Sequence, residues 1–408
     1  MGKMKQKANM KEYVGKVLII VENLPVPFDR RVWLEANTLT GEGYKVSVIS
    51  PRGKDNPKYE VLNGISLYRY RMPPPTRGFL SYLWEFAYCW FMTSFLSIKI
   101  LFGEGFDVIH ACNPPDTFFL LGAFYKLLGK KFVFDQHDLC PEVYKARFGS
   151  GKGNLLLKGL LLLERLTYKT ANLVIATNES YKKIAAERGR VRKEKIFVVR
   201  TGPDFERLKQ LEPEPELKKG RKYMVCYLGV MGPQDGVDYL LRVAELITKK
   251  HGRNDILFVL IGGGDSFNDL KDLSIELGVE EHTLFTGRIP DEELVRYLST
   301  ADVCAGPDPK NELNDNSTMN KIMEYMAMGK AVVSFDLKET RFSAGEAALY
   351  AKPNDTQDFS NKILELLNDE EKREKMGKYG KKRIEEELAW SHMEKELIKA
   401  YEKVFNKA

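Results

Sequence analysis

D-N-S-T-M-N-K-I-M-E-Y-M-A-M-G-K-A-V-V, residues 315–333, joins a polar loop, a helix and a strand in one short unit. Ile322, Met323, Met326 and Ala327 recur at the spacing of a helix that buries one face. A glycine follows, and Ala331-Val-Val-Ser-Phe reads as a strand. Asn316, Ser317 and Thr318 offer hydroxyl and backbone donors at the expected helix N-terminus, where unpaired N–H groups and the positive dipole end attract an anion. Ordinary capping and core packing would use the same residues. Glu324 lies about 12 Å along the helix from Asn316 and on nearly the same face.

Outward from this unit the alternation repeats. Lys16-Val-Leu-Ile-Ile-Val and Val46-Ser-Val-Ile-Ser are strands with helical sequence between them. Asp107-Val-Ile-His, Lys131-Phe-Val-Phe-Asp, Leu173-Val-Ile-Ala-Thr and Ile196-Phe-Val-Val-Arg continue the series, as in a parallel sheet covered on both faces. The pattern breaks at Leu211-Glu-Pro-Glu-Pro-Glu-Leu-Lys-Lys-Gly, which suits a linker spanning 211–222. A second series then runs through Met224, Ile256, Thr283, Val303 and Ala331. The expected architecture is two doubly wound α/β domains, 15–210 and 223–388, facing a cleft at the carboxyl ends of their strands.

Composition sets bounds on function. A chain of 408 residues with 43% hydrophobic and 29% charged residues is globular and too long for one typical core. A net charge of +6 suits an anionic ligand or an anionic membrane surface and gives no reason to expect nucleic acid. The five cysteines are scattered without C-x-x-C spacing, so they read as free thiols in a reducing cytosol. Lys3, Lys5, Lys7 and Lys11 mark residues 1–14 as a disordered basic tail rather than a secretory signal. Phe79–Phe102 is strongly apolar, yet its uncharged interior is short for a span of roughly 20 residues. It reads first as a largely buried helix, with contact to a membrane surface as the alternative and a true span last.

The 315–333 unit resembles the donor-binding E-x7-E segment of glycosyltransferase family 4, and Glu324 matches its second Glu. Asn316 stands where the first Glu belongs. Asp29-Arg-Arg-Val-Trp-Leu-Glu-Ala and Asn314–Ala327 place the resemblance nearest the bacterial surface-polysaccharide branch, and it extends from Lys16 to Ala408. It implies the GT-B fold, with residues 389–408 crossing back to the first domain. It also implies that Glu324 binds the ribose of a nucleoside diphosphate sugar, a ligand whose length suits the Asn316–Glu324 separation. His137, just past a strand end, matches a cleft histidine that contacts the donor sugar; His110 is the competing histidine, and Asp138 and Glu142 share the His137 loop. Backbone groups around Arg288 and Ile289 match the base-binding loop.

Members usually hold the diphosphate with an Arg and a Lys in a loop after the second domain's first strand. Here those places carry Val230 and Asp235. Arg30, Arg31, Arg200, Lys310 and Lys321 are the substitutes, with Lys321 best placed, so His137, Asn316 and Lys321 are the expected catalytic group. Gly262-Gly-Gly lacks the last glycine of a dinucleotide fingerprint and reads as a turn. The implied activity is retaining, metal-independent transfer of a hexose or N-acetylhexosamine, UDP being the expected nucleotide. The acceptor is a glycan or lipid-linked glycan, and the site of action is the cytoplasm or the inner face of the cell membrane. No cofactor is expected. A sugar-nucleotide epimerase and a catalytically silent nucleotide-binding subunit are the rivals.

Overall fold

The computed structural model describes residues 13–72, 79–149 and 155–406. The basic tail inferred from the sequence falls almost wholly outside them. Lys16–Ile20 (β1) and Lys45–Pro51 (β2) pair in parallel, Lys16 opposite Lys45 and Ile20 opposite Ile49, with Arg30–Gly41 (α1) crossing between them. Asp29 caps α1 by accepting the Val32 N–H at 3.1 Å. The first domain continues through β3 (Tyr59–Leu62), β4 (Ile65–Tyr70), α2 (Phe79–Gly103), β5 (Val108–Cys112), α3 (Phe119–Leu127) and β6 (Lys131–Gln136). It closes with α4 (Cys140–Phe148), α5 (Leu155–Thr170), β7 (Leu173–Ala176), α6 (Glu179–Glu187) and β8 (Ile196–Val198). The eight strands run β3-β4-β2-β1-β5-β6-β7-β8, all parallel except the β3 edge.

The second domain comprises β9 (Tyr223–Leu228), α7 (Val237–Glu245), β10 (Ile256–Ile261), α8 (Phe267–Glu276), β11 (Thr283–Gly287), α9 (Asp291–Thr300) and β12 (Val303–Gly306). After these come α10 (Glu312–Asn316), α11 (Asn320–Ala327), β13 (Val332–Phe335), α12 (Lys338–Ala344), β14 (Ala348–Ala351), α13 (Thr356–Leu367) and α14 (Glu370–Arg383). Its six strands run β11-β10-β9-β12-β13-β14, all parallel. Each sheet separates two apolar cores, as continuous runs such as Ile256–Ile261 require when both faces are covered. The last helix, α15 (Trp390–Val404), packs Trp390, Leu397, Ala400 and Tyr401 into the core of the first domain.

Three expectations are corrected. Residues 211–222 do not hang between the domains. Leu208 already sits in the second domain's core, the Leu211 and Glu214 amides donate to Ser299 and Thr300, and Lys218 pairs with Asp302 at 2.8 Å. The crossing comes earlier, between Arg200 and Leu208. The helix carrying Glu324 begins at Asn320; Asn316 instead ends α10, and Ser317 to Met319 turn the chain between the two helices. Finally, α2 is not largely buried, since Trp84, Phe86, Phe91, Phe95, Ile98 and Phe102 are exposed.

Candidate active site

Parallel pairing brings the carboxyl ends of β1, β5, β6 and β7 to one edge of the first sheet. His137 follows β6 there, with its Nε2 2.5 Å from Asp135 Oδ2 and its side chain 17% exposed. Asn113 Oδ1 accepts the amides of His137 at 2.7 Å and Asp138 at 3.1 Å, which fixes the loop. Burial alone would depress the imidazole, but the Asp135 carboxylate overrides it and the His137 pKa is raised. With Nε2 committed to Asp135, a ligand can meet this ring through Nδ1.

Beneath His137 lies a buried ionic cluster. Arg31 clasps Asp135 with Nη2 at 2.7 Å and Nε at 2.9 Å, donates to the Val199 carbonyl at 2.7 Å, and pairs with Glu35 at 3.1 Å. Burial raises the Asp135 carboxyl, yet Arg31 and His137 hold it well below the carboxylate range; burial pushes Glu35 up to about 7 against the pull of Arg31. Arg31 is therefore committed to the domain interior and is no diphosphate ligand. His110 is equally interior, with Nδ1 2.8 Å from the Tyr401 hydroxyl and Nε2 3.4 Å from both Glu35 and Asp135. His110, Cys112 and Asp135 are close enough to chelate a cation, but that charge is already supplied by Arg31. Glu142 accepts both arms of Arg188, which also pairs with Glu164 at 2.6 Å, so its role is structural.

Across the cleft, Leu228 is level with Ile261 and Ile261 with Gly287, so the loops after β9, β10 and β11 share one edge. Glycine is required at their closest approaches: a Cβ on Gly262 would run into the Gly229 carbonyl, and one on Gly236, at φ +70°, into the Pro307 carbonyl. Lys321 lies beneath this junction. Its ammonium is 2.6 Å from Asp308 Oδ1 and 4.9 Å from the centre of the Tyr227 ring, and its side chain is 10% exposed. Burial would lower its pKa, but Asp308 leads a set of groups that raise it well above the ordinary range. Asp235, at the place of a family lysine, is pushed up to about 6 by burial, with Lys321 opposing. Lys321 thus stands beside the loop the resemblance assigns to the diphosphate. Lys310 lies apart, 3.4 Å from Asp315 and well exposed.

Glu324 Oε1 accepts Arg30 at 3.1 Å and also Arg207; both arginines bond Asp291, Arg30 at 2.6 Å and Arg207 at 3.1 Å. Arg30 thus reaches from α1 to the expected ribose carboxylate. Arg207 and Asp291 complete a group the sequence did not point to; Asp291 opens α9, three residues past Arg288, whereas Arg207 carries no local signal. Arg288 lies over the Phe28 ring at 5.5 Å, beside the Arg30–Asp291 pair, and Ile289 is part-buried.

Ser317, Thr318 and Arg200 do not line a phosphate cradle. Asn178 Nδ2 donates to the Asn316 carbonyl at 2.8 Å and Thr318 Oγ1 at 3.0 Å; Tyr181 meets Ser317 Oγ at 3.0 Å. Arg200 donates to Thr318 at 3.1 Å and to Glu339 at 3.3 Å. These bonds form the seam between domains. The Asn316 side chain folds back to the Glu312 carbonyl at 2.8 Å.

Two family models meet at this seam: Glycosyltransferase Family 4 matches residues 29–207 and Glycosyl transferases group 1 matches 209–383. The chain is a GT-B glycosyltransferase. An uncharacterized glycosyltransferase of Methanocaldococcus jannaschii is 25% identical over 384 residues, 90% of this chain and 91% of that protein. A sucrose-phosphate synthase from Thermosynechococcus elongatus superposes with a TM-score of 0.75 at 18% identity, covering 97% of this chain and all of the other. HepE of Anabaena, solved with UDP and glucose, superposes with a TM-score of 0.73 at 16% identity over 95% of this chain and all of its own.

Proposed function

We propose that this GT-B enzyme is a retaining, metal-independent transferase. It moves a hexosyl or N-acetylhexosaminyl group from a UDP-linked donor to a lipid-linked glycan of surface-polysaccharide assembly at the cytoplasmic face of the membrane. The observation that carries the reading is the facing pair of groups: His137 braced on Asp135 in the first domain, and Lys321 and Glu324 on one helix in the second. In this reading Glu324 accepts the ribose hydroxyls in place of Arg30. Lys321 and the amides of the glycine-rich loops offset charge that grows on the leaving diphosphate. The acceptor hydroxyl attacks the anomeric carbon from the face the diphosphate leaves, and its proton passes to that diphosphate, so no side chain serves as nucleophile. Asn316 can hydrogen-bond a sugar hydroxyl through its Oδ1. The HepE complex supports UDP as the nucleotide.

Incubating the protein with a panel of UDP-, GDP- and ADP-linked sugars, and reading the anomeric configuration of products by NMR, tests the proposal. Net retention with UDP donors is expected; inversion, or preference for another nucleotide, overturns it. Glu324→Gln should weaken UDP binding about 10- to 100-fold, because a charge-assisted bond contributes about 1.5–3 kcal/mol. Unchanged affinity by calorimetry would remove Glu324 from the ribose site. The catalytically silent subunit is the second reading, favoured by Val230 and Asp235; UDP binding with no turnover across the panel would select it.

A further inference from the structure

Helix α2 meets the first sheet through a stripe of buried residues, Cys89, Thr93, Ser97 and Ile100, flanked by half-buried Tyr88, Trp90, Met92, Leu96 and Leu101. Its outer face carries large apolar side chains into solvent: Trp84 and Phe91 are each 63% exposed, and Phe102 is 85% exposed. α3 lies alongside, with Tyr125 hydroxyl 2.8 Å from Ser97 Oγ, and turns Leu120, Phe124 and Leu127 outward, Leu127 being 86% exposed. α5 comes next, joined where Lys126 Nζ donates to the Thr170 carbonyl at 2.8 Å, and exposes Leu155 and Leu162. All three helices cover the same side of the sheet. A soluble monomer rarely leaves so continuous an apolar face uncovered.

The charges on that face decide what covers it. Lys99, Lys126, Lys158, Arg165 and Lys169 are exposed on these helices. The acidic groups do not balance them: Glu164 is buried against Arg188, and Glu85 is only partly exposed. A two-fold contact with a second copy would bring this cationic rim against itself. An apolar, aromatic surface with a cationic border fits the boundary between anionic headgroups and acyl chains. Spanning is opposed by the buried stripe, which holds α2 on the sheet.

We propose that the α2–α3–α5 face docks the protein on an anionic lipid bilayer, with its aromatic and leucine side chains at the headgroup–acyl boundary. The face leads to the cleft: in the first half of α2, Cys89 Sγ lies 3.7 Å from Met72 Sδ, just past the carboxyl end of β4. A docked molecule therefore presents its cleft mouth at the membrane, where a lipid-linked acceptor would arrive; that last step rests on the proposed function.

The test is co-sedimentation of the full chain with vesicles of phosphatidylcholine alone or mixed with phosphatidylglycerol, with no donor or acceptor. Binding to the phosphatidylglycerol vesicles is expected. Phe91→Ser/Phe95→Ser should weaken it by about tenfold or more, and Lys158→Ala/Lys169→Ala by about fivefold per lysine. A wild-type chain that stays in the supernatant with both vesicles overturns the proposal. So does a dimer, seen by light scattering, that Phe91→Ser/Phe95→Ser dissolves, or a lysine pair whose loss changes nothing. Donor hydrolysis by Phe91→Ser/Phe95→Ser without vesicles should equal wild type, which separates failure of docking from failure of the transferase reading.

Discussion

Lys321 occupies the ground that two cations hold in the resembling family, but it does so while already paired with Asp308. Removing it should have two effects that can be separated. Lys321→Ala strands a buried carboxylate, a loss of about 3–5 kcal/mol, and on the proposed reading removes charge facing the leaving group, a loss of about a hundredfold in rate. Lys321→Ala/Asp308→Asn should recover most of the thermal stability and none of the turnover. Recovery of both would make the lysine purely structural. Glu22 offers a pH counterpart. Burial, with Glu85 adding to it, lifts its carboxyl to about 8. Folding therefore favours the protonated form: its contribution is fully present below the unfolded carboxyl range near 4.5 and is lost as pH rises through about 8. Glu22→Gln should raise the melting temperature by several degrees at high pH and leave it unchanged near pH 4. Equal shifts at both ends would show that Glu22 is not the titrating group.

At the scale of elements, the parallel strands were legible because runs such as Lys131-Phe-Val-Phe-Asp and Ile256–Ile261 are apolar on both faces, which only a doubly covered sheet permits. One legible element went unread: Asn63-Gly64, both at positive φ, is a two-residue hairpin turn joining β3 to β4. Other differences were beyond local reading. Asn316-Ser-Thr resembles a helix start, and what denies it that role is Asn178 and Tyr181, more than 130 residues away. The Leu211–Lys222 charge run resembles a linker until Arg296 binds Glu214 at 2.5 Å and Lys218 binds Asp302. Composition could not say which side of α2 would stay bare. Helix α15 shows how such distant contacts act. Tyr401 reaches from it to His110 and so into the Arg31–Asp135 group under His137. Tyr401→Phe leaves a buried imidazole nitrogen unpartnered, which should cost about 1–3 kcal/mol. The expected readout is a melting temperature lower by several degrees; an unchanged value would mean that packing alone holds α15 in place.

Across the whole molecule, two kinds of contact join the domains, and they differ in burial. The seam through Asn178, Tyr181, Arg200, Thr318 and Glu339 is mostly buried, and its partners lie in sequence on both sides of the chain crossing. Arg30, 42% exposed, belongs to the other kind through Asp291 and Glu324, as do Lys145 with Glu312 at 2.9 Å and Arg147 with Asp265 at 3.6 Å. Buried bonds with every partner satisfied act as a hinge that survives salt, whereas an exposed ion pair contributes about 0–1 kcal/mol and is screened. If Glu324 binds ribose as proposed, closure over a donor has a built-in competitor, since Glu324 cannot serve Arg30 and a ribose equally. Arg30→Ala should leave the melting temperature within about 0.5 kcal/mol of wild type in stability terms, because the seam is untouched. It should nonetheless shift the unliganded domains towards a more open arrangement. Small-angle scattering at low salt is expected to give a larger radius of gyration for Arg30→Ala than for wild type. At about 1 M salt, where the screening length falls to about 3 Å, the two should converge. Identical scattering at low salt would show that the remaining contacts set the angle between the domains and that Arg30 is a passive neighbour of the proposed ribose site.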